Sequence, residues 1–134
     1  MAYYVDTSAA VKLVVAEHES PALSAWLAPD GRDIVSSDLL RTELLRVARH
    51  GGPETVRRAR EVLDGIMLFT MPTATFEAAG RLDPVGLRSL DALHLTAALE
   101  LGDDLEGVVT YDDRLRAAAD HHGLAVVAPG SAHE

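Results

Sequence analysis

The chain has 134 residues, contains no cysteine and carries a formal net charge of −9 at neutral pH, so we expect one domain over residues 1–134 with a short tail from about residue 129. The absence of cysteine excludes disulfides, thiolate zinc sites and a cysteine nucleophile, and the acidic charge argues against non-specific binding to nucleic acid or to an anionic membrane. No apolar run approaches the ~20 residues of a membrane helix, and the N-terminal residues lack the pattern of a signal peptide, so we expect a cytoplasmic protein without membrane contact.

Strand and helix signals alternate along the first half of the chain. Apolar runs, helical periodicities and turn residues predict, in order, a strand at 3–6, a helix at 7–16, a helix from Ser20, a turn at 29–32, a strand at 33–36, and helices at 38–50 and 53–64. Thr7 or Ser8 is expected to cap the first of these helices and Ser37 the third, because hydroxyl oxygens accept hydrogen bonds from the free N–H groups there. Ser20 is a favourable cap for the second helix, whose first turn accommodates Pro21.

The second half of the chain continues the same alternation. Its patterns predict a strand at 66–71, a helix at 73–82, a loop at 83–86, a helix at 89–101, a strand at 107–111, a helix at 112–122 and a strand at 124–128. Five short apolar strands separated by helices indicate a mostly parallel sheet that is covered on both faces. Binding sites in such sheets lie beyond the carboxyl ends of the strands.

Four acidic residues stand where the pattern predicts apolar surroundings. Asp6 and Asp112 follow strand-like runs, and each therefore lies at the carboxyl edge of the predicted sheet. Glu43 and Asp91 each fall within the apolar stripe of a helix, between apolar neighbours four residues away on either side. Buried carboxylates without partners are costly or lose their charge, so a shared divalent metal ion is the simplest explanation for all four. The alternative is that the helical acids lie at the margins of their stripes and reach water.

The segments that contain these acids resemble the motifs of one known family. They are Asp6-Thr7-Ser8, Leu39-Leu-Arg-Thr-Glu-Leu-Leu-Arg46, Leu90-Asp-Ala-Leu-His-Leu95 and Val109-Thr-Tyr-Asp-Asp-Arg-Leu115. In this order and at these separations they resemble PIN-domain ribonucleases, and most closely the VapC toxins of bacterial toxin–antitoxin pairs. The resemblance implies a three-layer α/β/α fold with a mostly parallel five-stranded sheet and cleavage of RNA that depends on Mg²⁺ or Mn²⁺. It also implies a homodimer and inhibition by a small VapB-type antitoxin protein.

The resemblance assigns the central roles to the acidic residues. Asp6, Glu43, Asp91 and Asp112 match the family's acidic quartet, which implies that they are catalytic and hold one or two divalent metal ions. Mg²⁺ and Mn²⁺ are hard ions that prefer the oxygens of carboxylates and water. Such ions lower the pKa of a bound water and clamp phosphate oxygens, which suits hydrolysis of a phosphodiester.

Other residues match supporting positions of the family's motifs. Thr110, two places before Asp112, is implied to be a hydrogen-bond donor behind the metal ligands. Thr7 or Ser8 is expected to support Asp6 from the start of the adjoining helix. Asp113 has two possible roles, since it either ligates metal, directly or through water, or is only a helix N-terminal acid that is favourable to the helix dipole.

Basic residues are concentrated in one stretch of this acidic chain. Six of the twelve basic residues are arginines within twenty residues that contain only two acids. They form either a solvated helix face or a rim that binds phosphate groups, and under the second interpretation Arg46 and Arg49 are the candidates for RNA binding. The arginines are Arg41, Arg46, Arg49, Arg57, Arg58 and Arg60.

Other classes of protein share parts of this pattern. A phosphatase of the haloacid-dehalogenase type would have Asp-x-Asp after the first strand, where this chain has Asp6-Thr7-Ser8. A phospho-receiver domain would have a lysine after a late strand, whereas the only lysine is Lys12 in the first helix. A catalytically inactive PIN-like binding module would have no need of four acids.

The histidines are not expected to act in catalysis. We interpret His94 as a structural histidine that is hydrogen-bonded within its own helix. His121 and His122 fall in the last turn of a predicted helix, where cations are favourable. The others, His18, His50 and His133, have no ligand-like spacing.

Overall fold

A five-stranded sheet with helices on both faces makes up the described part of the chain, which is residues 1–29 and 32–131 of a computed structural model. The strands are β1 (Ala2–Val5), β2 (Asp33–Ser37), β3 (Met67–Phe69), β4 (Leu105–Val109) and β5 (Val126–Val127). The α-helices are α1 (Thr7–Val11), α2 (Ser20–Leu27), α3 (Leu39–Ala48), α4 (Pro53–Asp64), α5 (Thr73–Gly80), α6 (Ser89–Leu99) and α7 (Asp113–His121). Short 3₁₀ helices follow α3 and α6, at Arg49–Gly51 and Gly102–Asp104.

The sheet is parallel throughout and has the strand order β3-β2-β1-β4-β5. Side chains alternate between its faces, so that in β1 Tyr3 and Val5 pack against α1–α4 while Tyr4 packs against α6. The helices α5 and α7 pack on α6 and complete the second outer layer. The three-layer α/β/α fold with a five-stranded sheet is therefore confirmed.

Each face of the sheet has its own hydrophobic core. The α1–α4 face buries large aliphatic side chains, namely Val5, Leu23, Leu40, Leu44, Leu63 and Val109. On the other face, Ala97 and Ala98 of α6 pack against Tyr4, Val35 and Val108 of the sheet. Because alanine side chains are small, α6 lies close to the sheet, and this proximity carries the polar residues at its N-terminal end toward the carboxyl edge of β1.

The first helix is shorter than predicted, since α1 ends at Val11 rather than near residue 16. Beyond it the backbone forms turns whose hydrogen bonds join residues three apart. The N–H of Leu13 donates to the carbonyl of Ala10, and the N–H of Val14 donates to the carbonyl of Val11. The side chain of Lys12 pairs with Glu19 at 2.9 Å, across the turn that leads to α2. The periodicity of the apolar residues extends past Val11, and so the pattern overestimated the length of the helix.

Three predicted helix caps are wrong. The cap of α1 is the carboxylate of Asp6, because Thr7 and Ser8 already have helical backbone positions. The cap position of α3 is Asp38, without a side-chain bond, because Ser37 is the buried last residue of β2. The cap of α2 also falls one residue earlier than predicted, at Glu19.

The strand β4 ends two residues before its predicted end. Thr110 still donates to Val127 on β5, but the N–H of Tyr111 turns to the hydroxyl of Ser8 and leaves the ladder. Residues 30 and 31 of the predicted turn and residues 132–134 of the tail, including His133, lie outside the described residues. Within the described ranges, no helix is long and apolar enough to span a bilayer.

Candidate catalytic site

The candidate site lies where the carboxyl ends of β1 and β4 meet. β1 is hydrogen-bonded to β2 on one side and to β4 on the other, so the chain connections diverge at this edge, as at the switch points where open parallel sheets bind ligands. Asp6 follows β1 directly, and its N–H donates to the carbonyl of Val109 at 3.2 Å. Asp112 lies three residues beyond the end of β4. Glu43 is carried by α3 and Asp91 by the first turn of α6.

The carboxylate of Asp6 is buried and held by hydrogen bonds from three residues. Ser8 Oγ lies 2.7 Å from Oδ1 and 2.9 Å from Oδ2, and Thr110 Oγ1 donates to Oδ2 at 2.6 Å. The N–H of Ala9 donates to Oδ1 at 3.0 Å and thereby caps α1. Ser8 and Thr110 therefore contact Asp6 directly, from the helix and from the loop after β4.

The same two hydroxyls also fix the loop that carries Asp112. Ser8 Oγ accepts the N–H of Tyr111 at 2.9 Å, and Thr110 Oγ1 accepts the N–H of Asp112 at 3.1 Å. Each hydroxyl thus accepts a backbone N–H and has its single proton free to donate to Asp6. This pattern requires an acceptor at Asp6 and ties the loop after β4 to the end of β1.

Burial nevertheless raises the pKa of the Asp6 carboxyl above its ordinary value. The hydrogen bonds from Thr110, Ser8 and Ala9, and the nearby charge of His94, oppose this rise. A negative charge at a site without exposure to water is most stable beside a cation. The surroundings of Asp6 therefore favour a positively charged ligand at this edge of the sheet.

Glu43 is half-buried, and both of its hydrogen bonds are to the same oxygen. Oε1 accepts from Thr7 Oγ1 at 2.8 Å and lies 2.6 Å from Nε2 of His94. Burial raises the pKa of Glu43, but the hydrogen bond and charge of His94, together with the Thr7 hydroxyl, outweigh burial and lower the pKa overall. Thr7 and Ser8 are successive helical residues, so their side chains point about 100° apart around the axis of α1. Ser8 therefore contacts Asp6, and Thr7 contacts Glu43 instead.

The interpretation of His94 as hydrogen-bonded within its own helix is wrong. The ring is buried and bridges two other elements, with Nδ1 2.7 Å from the hydroxyl of Tyr4 and Nε2 at Glu43. The Tyr4 hydroxyl donates in turn to Ser37 Oγ at 2.9 Å, and burial raises the pKa of Tyr4 to about 12. The position of His94 three residues after Asp91, on the same helix face, was a signal in the sequence that it belongs to the site.

Asp91 is close enough to the other acids to be affected by their charges. Its pKa is raised first by burial and then by the charges of Asp112 and Glu43, while His94 opposes the rise. Asp112 lies at the start of α7, where its Oδ1 accepts the N–H groups of Arg114 at 2.8 Å and Leu115 at 3.1 Å. The four acids predicted from the sequence are therefore brought to one edge of the sheet.

Asp113 is the exposed first residue of α7, a position where a negative charge is favourable to the helix dipole.

Within residues 1–29 and 32–131, no group of three or more His, Asp or Glu side chains is arranged to hold a metal ion as it stands. The carboxylates of Asp6, Glu43 and Asp112 are each turned to hydrogen-bond donors instead. Their carboxylate oxygens and mutual repulsion suit a hard divalent cation, and Oε2 of Glu43 has no hydrogen bond within the described residues that would have to be replaced.

The two arginines that follow Glu43 along the chain lie near the C-terminal end of the same helix. Arg46 and Arg49 are exposed, and together with His50 they line a depression of ≈ 330 Å³. One helical turn separates Arg46 from Glu43, so a chain of phosphates that passes the acids can reach these side chains.

The sequence and the fold of this domain are similar to those of known proteins. Residues 3–121 match the model of the PIN domain family. The chain is 40% identical over 132 residues to Ribonuclease VapC47 of Mycobacterium tuberculosis strain CDC 1551 / Oshkosh, covering 96% of this chain and 97% of the relative. It is 43% identical over 128 residues to Ribonuclease VapC46 of Mycobacterium tuberculosis strain ATCC 25618 / H37Rv, covering 96% and 98%.

A solved structure titled "Toxin-antitoxin complex from Klebsiella pneumoniae" has the same fold. One of its chains superposes with a TM-score of 0.72 at 19% sequence identity, covering 96% of this chain and 98% of the other. The chain belongs to the PIN-domain family, and its relatives within that family are VapC ribonucleases.

The pKa of Asp91 leads to a prediction about the metal-free protein. Because folding raises this pKa above its ordinary value of 3.8, the ionised side chain destabilises the fold, and the penalty grows as the pH rises above that value. We therefore expect the melting temperature of Asp91→Asn, relative to wild type, to increase between pH 4 and pH 7 in the presence of a chelator. Scanning calorimetry at intervals of pH measures this.

The dependence on pH is the test, because Asp91 also lies in the first turn of α6, where a negative charge is favourable at any pH that ionises it. Asp103→Asn, in an exposed 3₁₀ helix, is the matched control and should show little change across the range. A relative melting temperature that stays constant or decreases with pH would contradict a raised pKa of Asp91 in the folded protein.

Proposed function

We propose that this protein is a metal-dependent endoribonuclease and the toxin of a toxin–antitoxin pair, acting in the cytoplasm. The observation that supports it most is the meeting of Asp6, Glu43, Asp91 and Asp112 at the switch point of the sheet, where burial, and then the charges of Asp112 and Glu43, raise the pKa of Asp91. The VapC ribonucleases that it resembles match almost the whole chain, which supports both RNA as the substrate and the toxin role.

The four acids would hold one or two Mg²⁺ or Mn²⁺ ions at the carboxyl edge of β1 and β4. Such an ion lowers the pKa of a bound water and neutralises charge on the reacting phosphate. Asp6 is oriented for this role by Ser8 and Thr110, and Glu43 by Thr7 and His94. The hydroxyls of Ser8 and Thr110 also fix the loop after β4, so the distance between Asp6 and Asp112 is set by the fold.

Two other functions are less well supported. A phosphatase of similar architecture would place a second carboxylate where this chain has Ser8, but the Ser8 hydroxyl is already engaged with Asp6 and Tyr111. A PIN-like binding module that lacks catalysis would leave the acids as an unexplained source of repulsion. RNA cleavage that a chelator abolishes distinguishes the enzyme from both alternatives.

The acidic quartet generates the first functional prediction. Replacing Asp6 or Asp91 with asparagine removes a charged metal ligand but keeps its shape, so we expect RNA cleavage to fall by at least ~100-fold while the protein remains folded. Cleavage of labelled RNA with Mg²⁺ or Mn²⁺, with and without EDTA, measures the effect, and circular dichroism checks the fold. Asp103→Asn is again the control, and full activity of folded Asp91→Asn would rule out this assignment.

The arginines after Glu43 generate the second prediction. If Arg46 and Arg49 bind phosphates next to the cleavage point, replacing either with alanine should weaken RNA binding and reduce the salt slope by ~0.7 for each phosphate that is no longer neutralised. Arg57, which is exposed and pairs with Glu54 at 2.6 Å, is a control with the same change of charge. Fluorescence anisotropy at several salt concentrations, on the inactive Asp91→Asn background, measures binding. An equal effect in all three variants would indicate general attraction rather than direct binding by these two side chains.

The toxin itself is proposed to be a homodimer. Its antitoxin partner is proposed to bind the α1–α4 side of the molecule. A groove of ≈ 480 Å³ lies beyond the end of α1, where Val14 and Val15 face Arg58 of α4. A second depression of ≈ 340 Å³ is lined mainly by apolar residues such as Leu13, Leu23 and Ile66. The first groove combines these valines with charged side chains and the second is mainly apolar, which together suit an amphipathic segment, and an arginine of the partner that enters the acidic quartet would compete with metal for its charge.

The partner generates the third functional prediction. Co-expression with the neighbouring small reading frame should yield a stable complex with suppressed ribonuclease activity, because the partner occupies the grooves and the acids. Val15→Glu places a charge in the first groove, where Val15 is 38% exposed, and should weaken the complex. Val85→Glu, on a side chain that is 94% exposed and outside these grooves, is the control. Titration calorimetry compares the affinities, and equal affinities would place the partner elsewhere on the surface.

A further inference from the structure

The strongest unexplained feature of the site is a buried chain of hydrogen bonds behind Glu43. It runs from Ser37 Oγ through the Tyr4 hydroxyl and the ring of His94 to Oε1 of Glu43, with distances of 2.9, 2.7 and 2.6 Å. Tyr4 and His94 are 0% and 2% exposed, and their rings meet edge to face with centroids 5.7 Å apart. The ring of His94 is therefore held in one orientation, with one nitrogen directed to the core and the other to the site.

The contacts of Glu43 are asymmetric. Oε1 is held by both Thr7 and His94, whereas no hydrogen bond to Oε2 is found within the described residues. A carboxylate held by one oxygen keeps a defined orientation, and its second oxygen remains available to a ligand. Glu43 is partly exposed, with 22% of its side-chain surface accessible, so a small ion can reach it.

We propose that His94 is a positioning residue for the acidic site, which holds Oε1 of Glu43 so that Oε2 remains the oxygen that binds a divalent metal ion. This inference rests on the proposed function, since it assigns a task to His94 within the same metal site. The imidazole acts through Glu43 and contacts neither metal nor RNA. Tyr4 and Ser37 anchor the ring from the core, so the β1–β2 end of the sheet and α6 together determine the direction of Glu43.

The partners of His94 are consistent with this role, because Nε2 lies 2.6 Å from the partly exposed carboxylate of Glu43. A histidine that only filled the core would be expected to find its partners in backbone or buried hydroxyl groups, away from a partly exposed carboxylate.

The test compares two replacements that retain different parts of the imidazole. The amide nitrogen of His94→Gln can reach the position of Nε2 and keep a donor to Glu43, whereas the shorter His94→Asn can keep only the contact near Nδ1. Loss of a hydrogen bond to a metal ligand typically weakens metal binding by 10–100-fold. We therefore expect Mn²⁺ affinity, measured by titration calorimetry, to fall by at least ~10-fold in His94→Asn and by much less in His94→Gln.

Thr96 offers a matched control on the same helix, because it is 4% exposed and its hydroxyl has no hydrogen-bond partner within the described residues. Thr96→Val removes this buried hydroxyl at almost constant shape, and its Mn²⁺ affinity should equal that of wild type. Melting temperatures without metal, measured for every variant, separate loss of folding from loss of positioning.

The outcomes are distinct. Equal Mn²⁺ affinity in wild type and in folded His94→Asn overturns the proposal, and so does an equal loss in the Gln and Asn variants. If neither variant folds, Thr7→Val is measured instead, because it removes the other donor to Oε1. Weakened Mn²⁺ binding would support the need to hold Oε1, and unchanged Mn²⁺ binding would mean that His94 is only a core residue. Wild-type protein that binds Mn²⁺ but cleaves no RNA refutes the proposed function and leaves the comparison of affinities valid, whereas wild type that binds no Mn²⁺ refutes both.

Discussion

The site depends above all on the hydrogen bonds to the buried carboxylate of Asp6. Donors from α1 and from the loop after β4 meet at this one group, so the carboxyl ends of two adjacent strands are linked through a side chain as well as through the sheet ladder. The hydroxyls of Ser8 and Thr110 each accept a backbone N–H as well, which fixes the start of α7 and the position of Asp112. A buried polar group whose hydrogen bonds are complete defines one geometry, because every alternative leaves a group unsatisfied.

The second constraint is electrostatic. Like charges that are brought to one place by folding destabilise the protein, and after burial the charges of Asp112 and Glu43 raise the pKa of Asp91 further. The protein offsets part of the repulsion with groups that are uncharged or shared, including the N-terminal N–H groups of α1 and α7, which bond to Asp6 and Asp112. Under the proposed function the remainder would favour binding of a cation, so the feature that lowers the stability of the metal-free fold would also favour a metal ion.

Packing decides whether these charges can meet at all. Asp91 and His94 are carried by α6, a helix that packs on the sheet through Ala97 and Ala98 and therefore approaches it closely. Larger side chains at Ala97 or Ala98 would move the helix outward and separate Asp91 from Asp112. The small core residues of α6 thus permit the close packing that brings the polar residues at its N-terminal end within range of the other acids.

The sequence alone determined the fold class and predicted the four acids at the carboxyl edge of the sheet, because both follow from local patterns. Short apolar strands between helices predict a covered parallel sheet, and acids at strand ends or within apolar helix faces are visible as violations of those patterns. Asp6, Glu43, Asp91 and Asp112 could be named in this way, together with Ser8 and Thr110 as neighbours in the motifs.

Only the tertiary structure decided which partner each polar group has. The roles of Thr7 and His94 depend on contacts with Glu43 across 36 and 51 positions of the chain, and no periodicity specifies such pairs. The end of α1 at Val11 and the end of β4 at Val109 were likewise set by competing hydrogen bonds, from local turns and from Ser8, that local propensity does not contain. Patterns of burial report which face a residue lies on, but a hydrogen bond depends on distance and angle between particular atoms, and these exist only once the layers have packed.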